Sequence, residues 1–320
     1  MRTHRAFGLF EDTLGGVSAR VRTTAIVFAA LLASCAPRDA EPPPAAPRAP
    51  AAVAAPTSEG DDPALPLVPF ETCDDTGRDF DVWLASFRHH AIKLGISRDV
   101  VARALANVEY DPSVVDLDRT QRPHKVSFEA FVASHITPAR VRRGKEQLTA
   151  QAALLGKIES RFGVAPAIII AIWGLESDFG RNLGSTRSLS ALATLAYDCR
   201  RAERFRGELL SALRIVARGD LAPEQMRGAW AGELGQTQFL PSSYERFGVD
   251  FDEDGRIDLI GSVEDCLAST ASYLAGHGWR AGEGYAPDSP NFGVLGEWNQ
   301  SDVYRRTIVL FAAKLASKKR

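Results

Sequence analysis

The chain has 320 residues, enough for one large domain or two modest ones. Its 38 lysines and arginines nearly balance its 40 aspartates and glutamates, which leaves a formal net charge of −2. Non-specific binding to nucleic acid needs a clear basic excess, so the composition argues against a nucleic-acid partner.

The N-terminal segment, residues 1–35, has the features of a bacterial lipoprotein signal. Arg20 and Arg22 precede an apolar run over residues 25–33, which is too short to span a bilayer and has the length of a signal-peptide core. The run ends in Leu-Ala-Ser-Cys, which resembles a lipobox and implies cleavage before Cys35 and acylation of its thiol. An ordinary secretory signal with an incidental cysteine is the alternative. Ala36 is not the aspartate associated with inner-membrane retention, so we expect a periplasmic protein anchored by lipid to the outer membrane.

Residues 36–72 are rich in alanine, proline and acidic residues. Ten of the chain's 18 prolines lie between Ala36 and Pro69. Such a segment buries too little apolar surface to offset the entropy of ordering it, and proline keeps it extended, so we expect a disordered tether. An anchor, a tether and a folded body in this order suit an enzyme that works near a membrane.

Residues 73–320 are predicted to form one helical region. Apolar residues recur at helical spacing at Phe80, Trp83, Leu84, Phe87, Ala91 and Leu94. Gly95 fits a helix stop, and Ser97 fits the cap of the next helix. Further helices are predicted over residues 127–136, 139–162, 166–177, 188–196, 201–217, 263–277 and 301–316. Strand-like alternation is scarce, so the fold class is mainly α, with an N-terminal helical part at 73–150, a core at 151–290 and a C-terminal helix at 291–320.

A basic run, Arg-Val-Arg-Arg-Gly-Lys at residues 140–145, is the one dense basic patch of this region. We interpret it as a solvated helix face. The alternative is a role in holding an anionic partner.

The cysteines allow one disulfide. If Cys35 is acylated, Cys73, Cys199 and Cys266 remain. Their spacing matches no zinc-binding pattern, and an oxidising compartment favours one disulfide with one thiol left over. All three pairings stay open, with a weak preference for Cys73 with Cys199.

The segment AIWGLESDFG, residues 171–180, places one glutamate at the end of an apolar run. Pro166 suits the first turn of a helix, and the apolar residues after it cover most faces, so this helix should be central and buried. Glu176 then lies in the last turn, where burial and the negative end of the helix dipole both raise the pKa of a carboxyl group. A raised pKa suits an acid that keeps its proton near neutral pH. The alternative is a surface glutamate paired with Arg181 or Arg187.

Several motifs agree in order and spacing with one family. The segments AIWGLESDFG, TRSLSALATLAYDCRRAERFRGEL, GAWAGELGQTQFLPSSY, VDFDEDGRIDL, SYLAGHGW and WNQSDVY resemble those of the membrane-bound lytic murein transglycosylase B family. The resemblance covers the chain from about Cys73 to the C-terminus. It implies that residues 73–320 are a catalytic region with a lysozyme-like helical core, which cleaves the β-1,4 bond between N-acetylmuramic acid and N-acetylglucosamine in peptidoglycan.

The resemblance also implies that Glu176 is the single catalytic acid and base. Glu176 would protonate the bridging oxygen and then take the proton of the muramic C6 hydroxyl, which closes onto C1 and leaves a 1,6-anhydro sugar. The intramolecular hydroxyl takes the place of the second carboxylate that glycoside hydrolases use. Peptidoglycan glycan strands are the implied partner, and cell-wall synthesis complexes are candidate partners.

A set of glycan-binding residues is implied in the same way. They are Arg200, Arg201, Gly235, Gln238, Asn299 and Tyr304. The arginines could hold muramyl or peptide carboxylates, or could simply be charges at the start of the next helix. Asn299 could orient the N-acetyl group, or could be a loop residue before a helix. Family members often carry a serine where this chain has Ala229, so the details of the N-acetyl subsite differ here.

Other acids and other activities are the rivals. We expect Glu233 to be a surface or supporting acid, because the family tolerates a small apolar residue at this position. A muramidase-type hydrolase would need a second carboxylate facing Glu176, and Asp178 would point away from Glu176 on a continued helix. A non-catalytic peptidoglycan-binding lipoprotein would have no need of an acid at a buried helix end.

The acidic segment DFDEDGRIDL, residues 250–259, fits most of a calcium loop of the EF-hand type. The ligand positions at its start are filled by Asp250, Asp252 and Asp254, with Gly255 at the turn and the backbone carbonyl of Arg256 next. Gly261 stands where a standard loop has glutamate. The resembled family closes a longer loop, in which Glu264 is the expected ligand and Asp265 a neighbouring alternative. We expect a structural calcium ion that the chemistry does not need; a solvated acidic turn is the alternative, and sodium could substitute.

Overall fold

The computed structural model describes residues 68–120 and 126–317 of the chain. The predicted signal peptide, the predicted lipidation site Cys35 and residues 36–67 of the predicted tether lie outside the described residues. Residues 68–72 contact the helical body, because the indole N–H of Trp83 donates to the Phe70 carbonyl at 3.0 Å and the Phe70 ring stacks on His90. The body therefore extends to at least Phe70 on its N-terminal side.

The described residues form thirteen α-helices and two very short strands, which confirms the mainly α prediction. The helices are α1 (Phe80–Lys93), α2 (Arg98–Ala104), α3 (Pro112–Thr120), α4 (Phe128–His135), α5 (Pro138–Ala150), α6 (Ala152–Phe162), α7 (Pro166–Ser177), α8 (Ser188–Tyr197), α9 (Ala202–Arg218), α10 (Pro241–Phe247), α11 (Val263–Gly276), α12 (Pro290–Trp298) and α13 (Asp302–Ala316). The strands β1 (Thr186–Arg187) and β2 (Arg227–Gly228) pair antiparallel, with Thr186 opposite Gly228.

The predicted single helix over residues 139–162 is wrong, because the chain forms two helices there. Gln151 leaves the helical conformation at φ −98° and ψ 14°, between the end of α5 and the start of α6. The two helices pack on different neighbours: α5 lies against α7 and α13, whereas α6 lies mainly against α11. Tertiary packing therefore sets a bend that the continuous helical pattern does not reveal.

Three short helices were not predicted from the sequence. They are α3, α10 and α12, which begin at Pro112, Pro241 and Pro290. Helix α12 lies within the region 291–320 that was predicted as one C-terminal helix, but before the helix predicted at 301–316. Proline suits the first helical turn because its missing N–H would have no partner there in any case. Each of the three helices has only seven to nine residues, which is shorter than the window over which apolar periodicity is read. Helix α2 is equally short and was predicted from its capping residue Ser97.

Helix α7 is the central helix of the fold. Four of its isoleucines, Ile168, Ile169, Ile170 and Ile172, are fully buried, and the helix packs against α5, α6, α11 and α13. Burying one isoleucine is worth about 1.5–3 kcal/mol, so packing rather than intrinsic propensity keeps this β-branched run helical. By length and composition, no single helix among the described residues could cross a membrane, and only α6 with α7, bent by 111°, passes as a pair.

A second group of helices packs beside this core. Helices α1, α2 and α3 lie against the hairpin of α8 and α9. A disulfide between Cys73 and Cys199 ties the segment before α1 to the turn between α8 and α9, which confirms the preferred pairing. Cys266 in α11 is a buried free thiol, and burial raises the pKa of its thiol group to about 12.

Candidate functional site

Glu176 lies in the last turn of α7 and its side chain is half-buried. Two donors from distant parts of the chain converge on its Oε1 atom. The indole N–H of Trp298 donates at 2.8 Å, and the hydroxyl of Tyr304 donates at 2.9 Å. The carboxyl group is therefore held between the central helix and the C-terminal helices. These two hydrogen bonds give it a defined orientation.

The two arginines that a surface glutamate would pair with have partners of their own. Arg181 lies 3.9 Å from Asp178, and Arg187 donates to the Asn107 carbonyl at 2.8 Å. The contacts of Glu176 with Trp298 and Tyr304 favour the buried acid over the surface alternative.

The junction of α12 and α13 delivers both donors. Trp298 is the last residue of α12, fully buried, with Phe239 and Tyr273 packed edge-on against its ring at 5.5 Å and 5.1 Å between centroids. Ser301 caps α13 by accepting from the N–H of Tyr304. Asn299 lies in the junction, and its Oδ1 accepts from the N–H of Ser301 at 2.9 Å.

Trp298 is a contact that the sequence analysis missed. The segment WNQSDVY was noted for its asparagine and tyrosine, and its first residue was not assigned a role. A tryptophan directly before two candidate site residues is a usable signal, since a buried indole N–H needs an acceptor.

The chain turns sharply just after Glu176. Asp178, Phe179 and Gly180 have φ values of 53°, 63° and 76°, so three consecutive residues are left-handed. A non-glycine residue in this region costs on the order of 1–3 kcal/mol and persists only where its surroundings hold it. The N–H of Phe179 donates to the Trp173 carbonyl at 3.3 Å, so the turn folds back onto the last turn of α7 and satisfies one of its carbonyls.

The sequence analysis interpreted the basic run of α5 as a solvated helix face. The structure shows that two of its arginines point inward instead. Arg140 and Arg143 both contact the carboxylate of Asp178, while Arg142 points outward with 70% of its side chain exposed. The partner of the two inward arginines is 35 and 38 residues away in sequence, so helical spacing alone could not reveal it.

The loop after β2 lies beside Trp298, one of the two donors to Glu176. Gly235 adopts φ 78°, and a Cβ atom there would lie 2.6 Å from the Leu259 carbonyl oxygen. Gln238 donates its amide to the Leu183 and Gly235 carbonyls, while its buried Oε1 has no hydrogen-bond partner among the described residues. Phe239 follows directly and packs on Trp298, which brings this loop close to the Glu176 carboxylate.

Glu233 is buried rather than on the surface. Its side chain is 3% exposed, and its Oε2 accepts from the N–H of Ala231 at 3.1 Å. The surface form of the prediction is therefore wrong, because the tight loop folds this carboxylate back onto its own backbone. Ala229, at the serine position of the family, is also nearly buried.

Arg200 and Arg201 both bind Asp118 of α3. Arg200 donates to Oδ2 at 2.6 Å, and Arg201 contacts Oδ1 of the same buried carboxylate. Arg201 is also the residue before α9, so the ion pair compensates positive charge at a helix N-terminus. Burial lowers the pKa of the Arg201 guanidinium to about 10, which leaves it charged at neutral pH.

The acidic loop gathers three carboxylates. Ligand atoms of Asp250, Asp252 and Asp254 all lie within 4.8 Å of one another. Backbone N–H groups of the same loop donate to these carboxylates. The N–H of Gly255 donates to Asp250 at 2.9 Å, and that of Arg256 donates to Asp254 at 2.9 Å. The exposed side chain of Glu264 is not part of this cluster.

Asp265 organises the same loop from inside. It is fully buried, and its carboxylate accepts from the N–H groups of Phe251 at 2.7 Å and Asp258 at 2.8 Å. Burial raises the pKa of Asp265, and the charge of Asp252 raises it further. The sequence analysis had named this residue only as a neighbouring alternative to Glu264.

Gln236 joins the acidic loop to α7. Its amide donates to the Ile260 carbonyl at 3.0 Å, and its Oε1 accepts from the indole N–H of Trp173 at 2.9 Å. A Cβ atom at Gly180 would lie 2.5 Å from the same Oε1, so glycine is needed where the left-handed turn passes this amide. The loop, the amide and the helix that carries Glu176 are therefore in one hydrogen-bonded chain.

The sequence profile described as "Transglycosylase SLT domain" matches residues 79–289, well over half of the chain. The chain belongs to this family.

A curated relative in this family is the membrane-bound lytic murein transglycosylase B of Escherichia coli strain K12. It is 40% identical to this chain over 164 residues, which are 49% of this chain and 45% of the relative. The chain thus matches about half the length of this curated relative.

Solved structures agree with the family and the fold. SltB3 from Pseudomonas aeruginosa, in complex with NAG-NAM-pentapeptide, superposes with a TM-score of 0.72 at 31% identity, covering 76% of this chain and 81% of that chain. The Escherichia coli lytic transglycosylase Slt35, in complex with calcium, superposes with a TM-score of 0.66 at 26% identity, covering 77% of this chain and 96% of that chain. The predicted lysozyme-like helical fold is confirmed.

A cavity of about 100 Å³ lies apart from Glu176, between α2, the β1–β2 ribbon and the start of α8. Its volume is well below the roughly 300–1,000 Å³ of small-molecule sites. The arrangement around Glu176 is therefore the better candidate for chemistry.

Proposed function

We propose that this chain is a lytic transglycosylase that cleaves the β-1,4 bond between N-acetylmuramic acid and N-acetylglucosamine in peptidoglycan without using water. The observation that carries the proposal is Glu176, half-buried at the end of the central helix with its Oε1 held by Trp298 and Tyr304. Membership of the transglycosylase SLT domain family supports the same activity, as do relatives named as lytic transglycosylases.

Glu176 supplies the proton that breaks the glycosidic bond. Its Oε1 accepts two hydrogen bonds, so the proton of the neutral acid resides on Oε2. Oε2 gives this proton to the bridging oxygen as the bond from muramic C1 to that oxygen breaks. The leaving N-acetylglucosamine departs with a free 4-hydroxyl, and C1 develops oxocarbenium character.

The same carboxylate then completes the reaction. It accepts the proton of the muramic C6 hydroxyl while the C6 oxygen bonds to C1, which yields a 1,6-anhydromuramic end and a reprotonated Glu176. The Trp298 and Tyr304 donors stabilise the carboxylate that exists between the two transfers. No water is consumed, and the C6 hydroxyl is already next to C1.

A single acid suffices in this mechanism. The contacts of the two other candidate carboxylates, Glu233 and Asp178, support this proposal. Glu233 turns its Oε2 to the Ala231 backbone, and Asp178 is bound by Arg140 and Arg143. Both carboxylates therefore have structural partners. A hydrolase would need one of them to activate water or to act as nucleophile.

The glycan is held by groups near this acid. The buried Oε1 of Gln238 lacks a partner among the described residues and can accept from an N-acetyl N–H or a sugar hydroxyl. Gly235 lets its loop pack closely on the Leu259 backbone and so positions Gln238, and Asn299 and Tyr304 flank the reacting bond. Relatives support this class of ligand, because SltB3 is described in complex with NAG-NAM-pentapeptide.

Arg200 and Arg201 would attract muramyl or stem-peptide carboxylates. Both already pair with Asp118, so they would offer only their remaining N–H groups. Arg200, with 43% of its side chain exposed, is the more accessible of the two.

The acidic loop fits calcium. Oxygen atoms on opposite sides of a calcium ion lie about 4.8 Å apart at Ca–O distances near 2.4 Å, and the cluster of Asp250, Asp252 and Asp254 spans no more than 4.8 Å. The Arg256 carbonyl would join the set, and Glu264, which is exposed and outside the cluster in this structure, would have to turn towards the ion to complete it. The ion would neutralise the three carboxylates and rigidify the loop that Gln236 joins to α7. The calcium complex of Slt35 supports this assignment.

The cellular placement follows from the N-terminal segment. Acylated Cys35 would anchor the protein to the outer membrane. The folded region would then lie in the periplasm, where the proposed substrate is. The curated relative named as membrane-bound supports a membrane anchor. A Cys35→Ala variant should move from the membrane fraction to the soluble periplasmic fraction.

Product analysis tests the proposed reaction. Purified sacculi digested with the enzyme should release muropeptides lighter by one water than those of a hydrolase, as read by mass spectrometry. Glu176→Gln should remain folded and bind sacculi but release no product. Glu297→Gln, an exposed acid beside Trp298, is the matched control and should keep full activity.

Each rival gives a different result. Products of hydrolytic mass would identify a muramidase, and binding without any release by the wild-type enzyme would identify a glycan-binding protein. Substantial release by Glu176→Gln would refute the assignment of the acid.

A further inference from the structure

The basic run of α5 reaches the turn that follows Glu176. Arg143 forms a two-pronged contact with Asp178, with Nη2 at 2.6 Å from Oδ1 and 2.8 Å from Oδ2. Arg140 adds its Nε to Oδ1 at 3.3 Å and donates its Nη1 to the His135 carbonyl at 2.8 Å. Helices α5 and α7 and the end of α4 are therefore joined at one carboxylate.

These contacts are shielded from solvent. The side chains of Arg140, Arg143 and Asp178 are 22%, 28% and 20% exposed. An ion pair at this depth is screened less by salt than a surface pair, and losing one partner leaves a poorly solvated charge. The contact can therefore hold a backbone conformation that the chain would otherwise leave.

The conformation that needs holding is the left-handed turn. Asp178 and Phe179 both carry a Cβ atom and both have positive φ, at 53° and 63°. Asp178 also closes α7, because its N–H donates to the Gly174 carbonyl at 3.2 Å. If Asp178 left this conformation, the last turn of the helix, which carries Glu176, would lose its end.

Helix α5 also makes room for the second residue of the turn. The Phe179 ring packs edge-on against Trp173 at 5.6 Å between centroids. A Cβ atom at Gly174 would lie 2.7 Å from that ring, and one at Gly144 of α5 would lie 3.2 Å from it. One short segment of α5 thus supplies both the charges for Asp178 and the space for Phe179.

We infer that Arg143, supported by Arg140, is a positioning residue for catalysis. By holding Asp178 and the left-handed turn, it fixes the last turn of α7 so that Glu176 meets Trp298 and Tyr304. This inference rests on the proposed function, in which Glu176 is the acid. Both arginines bind Asp178, two residues beyond Glu176, so their assigned role is indirect and needs no contact with the sugar.

The test compares two neighbouring arginines of the same helix. Arg143→Met removes the contact to Asp178. Arg142→Met removes one positive charge from an exposed side chain that lies 3.9 Å from Glu146. We expect Arg143→Met to lower kcat on purified sacculi by about 10–100-fold, the effect of a displaced catalytic group, while KM changes less than about twofold. Arg142→Met should match the wild type.

A double-mutant cycle separates positioning from general stabilisation. If Arg143 acts through the Tyr304–Glu176 contact, then Arg143→Met combined with Tyr304→Phe should lose less in kcat than the product of the single losses. Arg142→Met with Tyr304→Phe should be additive. All rates are taken well below the thermal midpoint, where circular dichroism shows a folded protein.

A second variant, Asp178→Asn, tests the same contact if Arg143→Met does not fold. Asp178→Asn keeps a residue that tolerates the left-handed conformation and loses only the charge, so the same fall in kcat is expected. Folded Arg143→Met or Asp178→Asn with wild-type kcat, or a loss seen only in KM, would overturn the inference. Failure of the proposed function is distinct, because it would show as active Glu176→Gln or as products of hydrolytic mass.

Discussion

Trp298 donates its indole N–H to Oε1 of Glu176 at 2.8 Å, although the two residues are 122 positions apart. The donor is fully buried at the end of α12, and the acceptor is at the end of α7. The acid is therefore oriented by the C-terminal part of the chain. Its geometry depends on how α12 and α13 pack, and not on α7 alone.

Removing the second donor should slow the reaction. Tyr304→Phe keeps the ring and deletes the hydroxyl that donates to Oε1 at 2.9 Å. A hydrogen bond to a charged group is worth about 1.5–3 kcal/mol, so kcat should fall by about 10–100-fold. The ionised carboxylate also loses a stabilising donor, so the high-pH limb of the rate profile should move to higher pH. Initial rates of muropeptide release across pH measure both effects.

Tyr273→Phe is the matched control for this change. Its hydroxyl donates to the Glu297 backbone carbonyl at 2.6 Å, and its ring packs on Trp298. This variant loses a hydrogen bond in the same aromatic cluster, but the lost bond is to a backbone carbonyl and not to Glu176. An equal loss of kcat in both variants would contradict a specific role for Tyr304.

Calcium should stabilise the protein through the acidic loop. At about a hundredfold excess over Kd, a bound ligand adds about 2.7 kcal/mol, which corresponds to a rise of about 5–10 °C in Tm for a chain of this size. Asp252→Asn and Asp254→Asn should each abolish most of this rise. Differential scanning calorimetry with calcium and with a chelator measures it.

The control for the calcium loop is Glu253→Gln. It removes one negative charge from an exposed residue between two predicted ligands, and it lies outside the cluster of three aspartates. It should retain the calcium-dependent rise in Tm. If it lost the rise as fully as Asp254→Asn, general charge density rather than ligation would explain the effect.

The disulfide should contribute strongly to stability. Cys73 and Cys199 are separated by 126 residues, and cross-linking a loop of this length restricts the unfolded chain by up to about 5 kcal/mol. The double variant Cys73→Ser/Cys199→Ser should unfold at a lower urea concentration by a corresponding amount. Reductant should lower the midpoint of the wild type and leave that of the double variant unchanged; a reductant effect in both would contradict the assignment.

The remaining thiol should be inert in the folded protein. Burial raises the pKa of Cys266 from 9.0 to about 12, so the thiolate fraction at pH 8 falls from about one tenth to about one ten-thousandth. Iodoacetamide at pH 8 should label Cys266 in denaturant and leave it unlabelled in buffer. Mass spectrometry of the tryptic peptide gives the extent of labelling, and rapid labelling in buffer would contradict the buried position.

Local pattern was enough to predict much of this protein. The apolar run before Glu176 predicted a buried central helix, because a segment apolar on every face has no stable position in water. Ser97 caps α2 as predicted, since a hydroxyl directly before a helix satisfies one of its free N–H groups. The spacing of Asp250, Asp252 and Asp254 predicted the cluster of carboxylates, because ligands a few residues apart are brought together by the turn itself.

Only the tertiary structure decided the contacts between distant segments. It ended α5 at Ala150, buried Glu233, gave Arg143 its partner Asp178 and brought Trp298 to Glu176. These outcomes depend on which helix faces meet, and the apolar stripes that bring the faces together specify burial without specifying a polar partner. The sequence by itself therefore determined the central helix, the position of Glu176 at its end and the clustering of the acidic loop, whereas the packing of α5, α12 and α13 around α7 decided how the Glu176 carboxyl group is held.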